Sequence, residues 1–175
     1  MPLVAFDSNI CIWCIKEECT KGQEQEMQKA VTLRNVLTQA GYDILIPIPV
    51  VTELLSNVSD SNERISLYKE IKKTFQVAQF DEKAALLLAE ILNHHYQGTN
   101  RAYKQLGITK VPLKYDALLV ALSKSAGAEC LFAHDNDCKT IAAQFYSVKG
   151  LDERPDSISQ KVGVFANEED TSKNI

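Results

Sequence analysis

The amino-acid sequence predicts an α/β fold with a mostly parallel central sheet. Two observations favour this class: short apolar runs alternate with segments of helical periodicity, and several of these segments end at glycine or proline. No internal repeat is visible. The chain has 175 residues, of which 45% are hydrophobic and 24% charged. This length and composition are typical of a single globular domain with a sizeable core.

The predicted strands are short runs rich in apolar residues. They cover residues 3–6, 42–46, 76–80 and 130–133. Pro47 and Pro49 end the second strand, because a proline inside a sheet removes a hydrogen-bond donor. Acidic residues directly follow the first and the fourth strands, at Asp7 and Asp135.

The predicted helices place apolar residues on one face at helical spacing. They cover residues 10–19, 27–40, 50–55, 63–74, 82–96, 116–126 and 139–145. Gly41 ends the second helix, Asp81 caps the fifth, and Gly98 ends the fifth. The sixth helix is apolar on nearly every side, which is typical of a central, covered helix, yet Asp116 is predicted to lie in its first turn.

Residues 1–150 are expected to form the domain, and residues 151–175 a polar C-terminal tail. No stretch approaches the length of a membrane span, and the N-terminus has no basic region before an apolar stretch. We therefore expect a cytoplasmic protein without a membrane partner. Because the net charge is −4, any nucleic acid would be bound by a local basic patch or through metal ions.

One candidate patch is the segment 98–115, which contains no acidic residue. Its basic residues are Arg101, Lys104, Lys110 and Lys114. Two interpretations are open: these side chains contact nucleic-acid phosphates, with Lys114 nearest to the acidic residues, or they form a solvated surface.

Four acidic residues have related positions in the predicted fold. Asp7 and Asp135 end apolar strands, while Glu53 and Asp116 begin apolar helices. Carboxyl ends of parallel strands lie at one edge of a sheet, so Asp7 and Asp135 should lie at the same edge. Three of these acids also have a local explanation. Asp7 and Asp135 could cap helices, and Asp116 could be a first-turn acid that the helix dipole stabilises. Glu53 is harder to explain locally, since an unpaired carboxylate among core residues is costly.

Four carboxylates at one edge would repel each other unless cations neutralise them. Hard oxygen ligands suit Mg²⁺ or Mn²⁺. Such ions activate water and stabilise the leaving oxygen in phosphodiester cleavage. Ser8 and Asn9, which follow Asp7, are candidates for contacts with a phosphate, although helix capping also explains them.

The cysteines suggest a second kind of site. Cys11 and Cys14 form a Cys-x-x-Cys pair, which occurs in zinc and redox motifs. A zinc site usually requires a second pair, and Cys130 and Cys138 do not form one. Structural thiols packed in the core are therefore the favoured interpretation.

Four motifs, in this order, resemble those of the PIN-domain nucleases, a family that includes VapC-like toxin ribonucleases. They are residues 7–9 (Asp-Ser-Asn), 49–54 (Pro-Val-Val-Thr-Glu-Leu), 114–121 (Lys-Tyr-Asp-Ala-Leu-Leu-Val-Ala) and 133–137 (Ala-His-Asp-Asn-Asp). The resemblance extends over about residues 1–148. It implies a three-layer α/β/α sandwich and a Mg²⁺- or Mn²⁺-dependent endoribonuclease. Many members of the family are toxins of toxin–antitoxin pairs and are often dimeric, so the resemblance implies an antitoxin partner and a homodimer.

The resemblance also implies residue roles by position. The catalytic acids are Asp7, Glu53, Asp116 and Asp135. The metal ligands are Asp7, Asp116, Asp135 and Asp137, the last matching an additional acid of the family. Independently of the resemblance, the residues themselves make Ser8, Asn9 and Lys114 candidates for substrate binding.

The sequence departs from the family pattern at two positions near the fourth acid. Ala133 stands where the family usually has a threonine or serine, and Cys138 replaces the usual phenylalanine. Ala133 keeps open the alternative of a PIN-like scaffold that binds RNA or protein without cutting. A haloacid-dehalogenase-type phosphatase is another alternative, but that chemistry requires an aspartate where this chain has Asn9.

Overall fold

The computed structural model describes residues 1–97, 107–156 and 158, and the structural statements below concern these residues. Its strands are β1 Leu3–Phe6, β2 Asp43–Pro47, β3 Gln76–Ala78, β4 Leu131–Phe132 and β5 Val148–Lys149. They form one parallel sheet in the order β3-β2-β1-β4-β5. Because successive strand residues point to opposite faces and Val4, Ala5 and Phe6 are all fully buried, both faces of the sheet are covered.

The covering layers are helical. The helices are α1 Ser8–Cys11, α2 Glu24–Gln39, α3 Ile48–Ser56, α4 Ser61–Thr74, α5 Glu82–Tyr96, α6 Lys110–Ser125 and α7 Asn136–Ala142. A π-helical segment, Ile12–Lys16, extends α1. The predicted α/β class and its three-layer α/β/α arrangement are confirmed. None of the helices in the described ranges is long and apolar enough to cross a membrane.

Several predicted boundaries were wrong, and two of the errors concern the acidic residues. The helix predicted from Asp116 begins at Lys110, so Asp116 lies in its second turn. Pro112 is tolerated inside this helix because the first-turn N–H groups need no helical acceptor. The helix predicted over 139–145 is Asn136–Ala142, because Asp135 caps it.

Other differences lie at the edges of the fold. The first helical segment ends at Lys16, before the predicted residue 19. Strand β5 was not predicted, since it contains only the two residues Val148 and Lys149. The predicted helix end at Gly98 and the basic residues Arg101 and Lys104 lie outside the described residues.

The strand order places a crevice beside β1. The chain adds β2 and β3 on one side of β1, then β4 and β5 on the other. Ala5 pairs with Leu131 and Phe6 with Phe132, so β1 and β4 are direct parallel neighbours. At such a point the connections leave the two strands toward opposite sides and open a ligand-binding crevice. Asp7 and Asp135 follow these two strands.

The core supports this crevice from below. Phe6 and Phe132 meet edge to face with ring centroids 5.9 Å apart. Helix α6 buries seven residues, as expected for a helix that is apolar on nearly every side. Cys11 and Cys14 are fully buried in this core, which confirms their structural packing, and Trp13 is only 2% exposed.

The segment after β5 is attached to the domain by exposed ion pairs. Asp152 pairs with Lys29 of α2 at 2.8 Å, and Asp156 pairs with Lys149 of β5 at 2.8 Å. Glu153 joins it to α7, and Leu151 is only 8% exposed. The boundary between the domain and a tail at residue 150 remains a prediction, because residues 157 and 159–175 lie outside the described ranges.

Candidate functional site

A cleft of about 210 Å³ opens at the carboxyl ends of β1 and β4. Its lining includes a carboxylate from each of four segments: Asp7 after β1, Glu53 from α3, Asp116 from α6 and Asp135 after β4. The structure thus brings together the four acids that the sequence places far apart. We call this set the cleft acids.

Asp7 lies at the base of the cleft and is only 6% exposed. It caps α1, because its Oδ1 accepts a hydrogen bond from the Ile10 N–H at 2.8 Å. Its Oδ2 accepts a second bond, from the His134 N–H at 3.0 Å, which ties the end of β1 to the end of β4. Burial raises the pKa of Asp7 to about 6, although both backbone bonds favour the charged form. Asp7 therefore both caps α1 and lines the cleft.

Asp116 is half-buried on α6 and faces the other aspartates. Burial raises its pKa to about 7, and the negative charges of Asp135, Asp137 and Asp7 raise it further in that order of size. Because Asp116 lies in the second turn of α6, a favourable interaction with the helix dipole does not explain it. Its charged form is disfavoured by the very neighbours that a bound cation would neutralise.

Asp135 is exposed and caps α7, with its Oδ1 accepting a bond from the Asp137 N–H at 2.8 Å. Asp137 is half-buried in the first turn of α7. It raises the pKa of Asp116, yet it does not line the cleft. The predicted additional acid is therefore electrostatically close to the cleft acids without being part of the cleft wall.

Of the predicted RNA-binding residues, Ser8 and Asn9 line the cleft, and Lys114 does not. Lys114 is exposed on the first turns of α6, as is Lys110. Both remain available for contacts outside the cleft.

Sequence reasoning missed three lining residues: Tyr115, Leu119 and Cys138. Tyr115 hydrogen-bonds to Ser8 across the cleft, with 3.1 Å between the two hydroxyl oxygens. Burial raises the pKa of Tyr115, and the Glu53 carboxylate raises it further. Cys138 is 2% exposed, and burial followed by the charges of Asp116 and Asp7 raises its pKa. The only sequence signal for Tyr115 and Cys138 is that they directly neighbour Asp116 and Asp137. That signal is weak, because consecutive residues of a helix point in different directions.

The cleft acids have the donor atoms that a divalent cation prefers, but their side chains are not arranged around one. They offer only hard oxygen donors, and the raised pKa values of Asp7 and Asp116 reflect charge without compensation. However, no group of three or more His, Cys, Asp and Glu side chains in the described ranges is arranged to hold a metal ion. Binding at this site therefore requires side-chain rotation or bridging waters.

Cavity size does not identify the site. A larger cavity, of about 510 Å³, lies beside α2 and the edge of the sheet. The charged side chains in its lining are Arg34 and Asp43, which do not form an acidic cluster. The smaller cleft is the better candidate because ionisable groups with perturbed pKa values converge there.

The described residues near the cysteines do not support a separate site. Burial raises the pKa of Cys11 well above its ordinary value and that of Cys14 to about 12, so the thiolates that would bind zinc are disfavoured. His134 packs its ring against Trp13, with centroids 4.8 Å apart, at the rim of the crevice.

Comparisons with known proteins identify the family of this chain. A family model, the PIN domain, matches residues 4–144. The sequence matches none of the curated proteins.

Solved structures share the fold. VapBC-1 from nontypeable Haemophilus influenzae is similar with a TM-score of 0.60 and 13% identity, over 86% of this chain and 99% of that one. VapBC2 from Rickettsia felis, bound to a DNA fragment from its promoter, has a TM-score of 0.58 and 14% identity, over 85% and 98%. DNA-bound VapBC from Salmonella typhimurium has a TM-score of 0.55 and 17% identity, over 86% and 99%. At these identities the likeness shows the fold alone.

Proposed function

This chain belongs to the PIN-domain family, and from that premise we propose that it is a Mg²⁺- or Mn²⁺-dependent endoribonuclease that hydrolyses RNA phosphodiester bonds. The observation that carries the proposal is the convergence of Asp7, Glu53, Asp116 and Asp135 from four segments on one cleft. The haloacid-dehalogenase-type phosphatase is set aside, because the family match covers residues 4–144.

We assign the cation to Asp7, Asp116, Asp135 and Asp137, with Glu53 contributing directly or through water. A cation held by these residues would supply a lowered pKa for an attacking water and positive charge against the negative charge that grows on the phosphate and the leaving oxygen. The protein's part is to fix the carboxylates. Asp7 is held by the N–H groups of Ile10 and His134, so its orientation needs no cation.

Ser8 and Asn9 line the same cleft and are proposed to contact the phosphate or its water. Lys114 and Lys110, exposed on the first turns of α6, would contact phosphates further along the RNA. Since phosphate contacts release counterions, replacing both lysines by glutamine should lower the slope of affinity against salt concentration.

The cellular role is a separate proposal. Because the three similar structures described above are VapBC complexes, we propose that the chain acts as the toxin of a toxin–antitoxin pair. An antitoxin partner, a homodimer and a cytoplasmic location belong to the same proposal. Residues 1–150 would form the nuclease domain and residues 151–175 its polar tail.

The test is cleavage of a defined single-stranded RNA by the purified protein, with EDTA, Mg²⁺ or Mn²⁺. Cleavage should require a divalent ion and be lost in Asp116→Asn. This variant is cleaner than Asp7→Asn, because Asp7 accepts from two N–H groups with two oxygens and an amide would leave one unpaired.

Asp43→Asn is a matched control, since Asp43 is a half-buried carboxylate outside the cleft that bonds to Gln76. It should cleave like wild type. Metal-independent cleavage, or equal activity in Asp116→Asn, would contradict the proposal. Tight RNA binding without any cleavage would favour the non-catalytic scaffold.

A further inference from the structure

A second cavity adjoins the cleft at the start of α1. Its volume is about 250 Å³, and Asn9 lines both this cavity and the cleft. We call it the side pocket. Its other lining residues come from the π-helical segment and from the turn before α2; they are Ile12, Trp13, Glu18, Cys19, Thr20 and Gln23. A phosphate in the cleft would therefore have its flanking nucleotide beside the side pocket.

The size and the apolar lining of the side pocket suit a flat ring. Pockets for drug-sized ligands usually measure about 300–1,000 Å³, so this cavity fits a nucleobase better than a whole nucleotide. Ile12 and Trp13 supply the apolar lining, but Trp13 is only 2% exposed. The indole is too buried to be a stacking platform, so selection among the bases depends on the polar lining.

The polar lining offers both donors and acceptors. The Thr20 hydroxyl donates to the side-chain carbonyl of Gln23 at 2.6 Å, and the Gln23 backbone N–H donates to the Thr20 carbonyl at 3.0 Å. This turn leaves the amide NH₂ of Gln23 without a hydrogen-bond partner among the described residues. Glu18 adds a carboxylate, which accepts hydrogen bonds only and has no ion pair within the described ranges.

Guanine is the base whose edge matches these two groups. It has two adjacent donors, the ring N–H and the exocyclic amino group, which together can meet both oxygens of one carboxylate. The neighbouring carbonyl oxygen of guanine accepts from an amide NH₂ such as that of Gln23. Adenine and cytosine have a ring-nitrogen acceptor in place of the ring N–H, which a carboxylate repels, and uracil offers the carboxylate a single donor.

We propose that the side pocket binds the base of the nucleotide next to the cleaved bond and selects guanine through Glu18 and Gln23. The inference rests on the proposed function, because it specifies which RNA sequence the cleft receives. Sequence-specific RNA recognition usually targets single-stranded loops, whose unstacked bases can hydrogen-bond through their Watson–Crick edges. An RNA loop with an unpaired guanosine is therefore the expected substrate.

Cys19 supplies a probe of occupancy in the side pocket. It lines the pocket and is partly exposed, whereas the other four cysteines are buried. The experiment measures the rate of Cys19 alkylation by iodoacetamide, by mass spectrometry of the full chain in EDTA. Guanosine, adenosine, cytidine and uridine are added in separate titrations. We expect guanosine to slow the reaction at a concentration at least about tenfold lower than the other nucleosides require.

Glu18→Gln should abolish the preference for guanosine, because an amide presents one acceptor where the carboxylate presents two. Glu18 is exposed, so the variant should keep the fold. Glu17→Gln is the matched control, since it removes the same charge one position away, from an exposed residue that does not line the side pocket. This control should keep the wild-type preference.

The same preference should appear in cleavage. With Mn²⁺ and an RNA that has all four bases in unpaired positions, wild type should cut next to guanosine, and Glu18→Gln should lose this selectivity. Three results would overturn the inference alone: equal or stronger protection of Cys19 by another nucleoside, loss of the preference in Glu17→Gln, or cleavage by wild type that ignores the neighbouring base.

Failure of the proposed function has a different signature. If wild type cleaves no RNA with any divalent ion, the proposed function is contradicted whatever the alkylation result. The nucleoside titration needs neither a cation nor cleavage, so it tests the side pocket separately from the cleft acids.

Discussion

Two acidic regions of this molecule have opposite electrostatic environments. In the cleft, none of the ion pairs found among the described residues includes Asp7, Glu53, Asp116 or Asp135. In the segment after β5, the three acids are each paired with a lysine: Asp152 with Lys29, Glu153 with Lys139 and Asp156 with Lys149.

The pKa values follow the same division. Burial and neighbouring carboxylates raise the pKa of Asp7 and Asp116, whereas the Lys139 bond and the Gly150 N–H lower that of Glu153. Helix α7 takes part in both regions, because its first turn contains Asp137 and its last turn Lys139. The difference teaches that acidic residues alone do not distinguish the two regions, whereas the absence of a paired lysine does, and it is to the unpaired acids that we assign the proposed cation.

The largest expected effect is on catalysis. Asp116→Asn should reduce RNA cleavage at least about 100-fold. The substitution removes a carboxylate charge that would hold the cation, and the cation would offset the negative charge of the transition state. The double variant Asp7→Asn/Asp116→Asn should be little worse, since residues that act as a unit are strongly non-additive. Rates would be measured with excess Mn²⁺ by single-turnover gel assay.

The paired region supplies the control for that comparison. Glu153→Gln removes the carboxylate that pairs with Lys139 of α7, outside the cleft, and should leave the cleavage rate unchanged. Comparable losses in Glu153→Gln and Asp116→Asn would mean that the two regions do not differ in function.

The second effect is on stability. At 100 times its Kd, a bound ion stabilises the folded state by about 2.7 kcal/mol. For a chain of this size, that corresponds to a rise in Tm of roughly 5–10 °C. Mn²⁺ should therefore raise the Tm of wild type and of Glu153→Gln, but hardly that of Asp116→Asn. An unchanged wild-type Tm at saturating Mn²⁺ would contradict the proposed metal site.

Much of this comparison was readable from the sequence. Asp7 and Asp135 were predicted at the same edge because each ends an apolar run, and the edge is indeed shared. Glu53 is a candidate from the sequence because it lies among valines and leucines, where an unpaired carboxylate is costly. These inferences depend on local patterns, which sequence preserves.

The remainder depends on contacts between distant segments. The order β3-β2-β1-β4-β5, which opens the crevice, is not encoded in any single run of residues. Tyr115 meets Ser8 across 107 positions, and Lys29 meets Asp152 across 123. The sequence predicts the start of α6 at Asp116, whereas the helix begins at Lys110, because its first turn accepts Pro112.

The third effect concerns pH. In the absence of a divalent ion, the folded-state pKa values of Asp7 and Asp116, about 6 and about 7, exceed the ordinary value of 3.8. The stability that these protons contribute is full below about pH 3.8 and is lost as the pH rises through 6 and 7. The Tm of the apo wild type should therefore fall relative to that of apo Asp116→Asn between pH 5.5 and pH 8.

Mn²⁺ reverses this trend, because protons compete with the ion for the same carboxylates. Its stabilisation of wild type should be larger at pH 8 than at pH 5.5. A Tm difference between wild type and Asp116→Asn that stays constant with pH would mean that Asp116 titrates as an ordinary surface acid.

The smallest effect belongs to the paired region. The Glu153 carboxylate accepts from the Lys139 ammonium at 2.5 Å and from the Gly150 N–H at 2.6 Å, and both side chains are nearly half exposed. Exposed pairs of this kind contribute about 0.2–1 kcal/mol. Since glutamine keeps an oxygen for the Gly150 N–H, Glu153→Gln should lower the free energy of unfolding by less than about 1 kcal/mol in urea at pH 7.

Salt distinguishes this loss from a packing defect. At 1 M salt the Debye length is about 3 Å, so the pair is screened and the difference between wild type and Glu153→Gln should disappear. Because the pKa of Glu153 is lowered, its contribution is present above about pH 4.5 and is lost as the pH falls through the lower folded-state value. The pH trend is thus opposite in sign to that of the cleft acids. A loss of several kcal/mol that persists at high salt would instead show that the segment after β5 is held mainly by packing around Leu151.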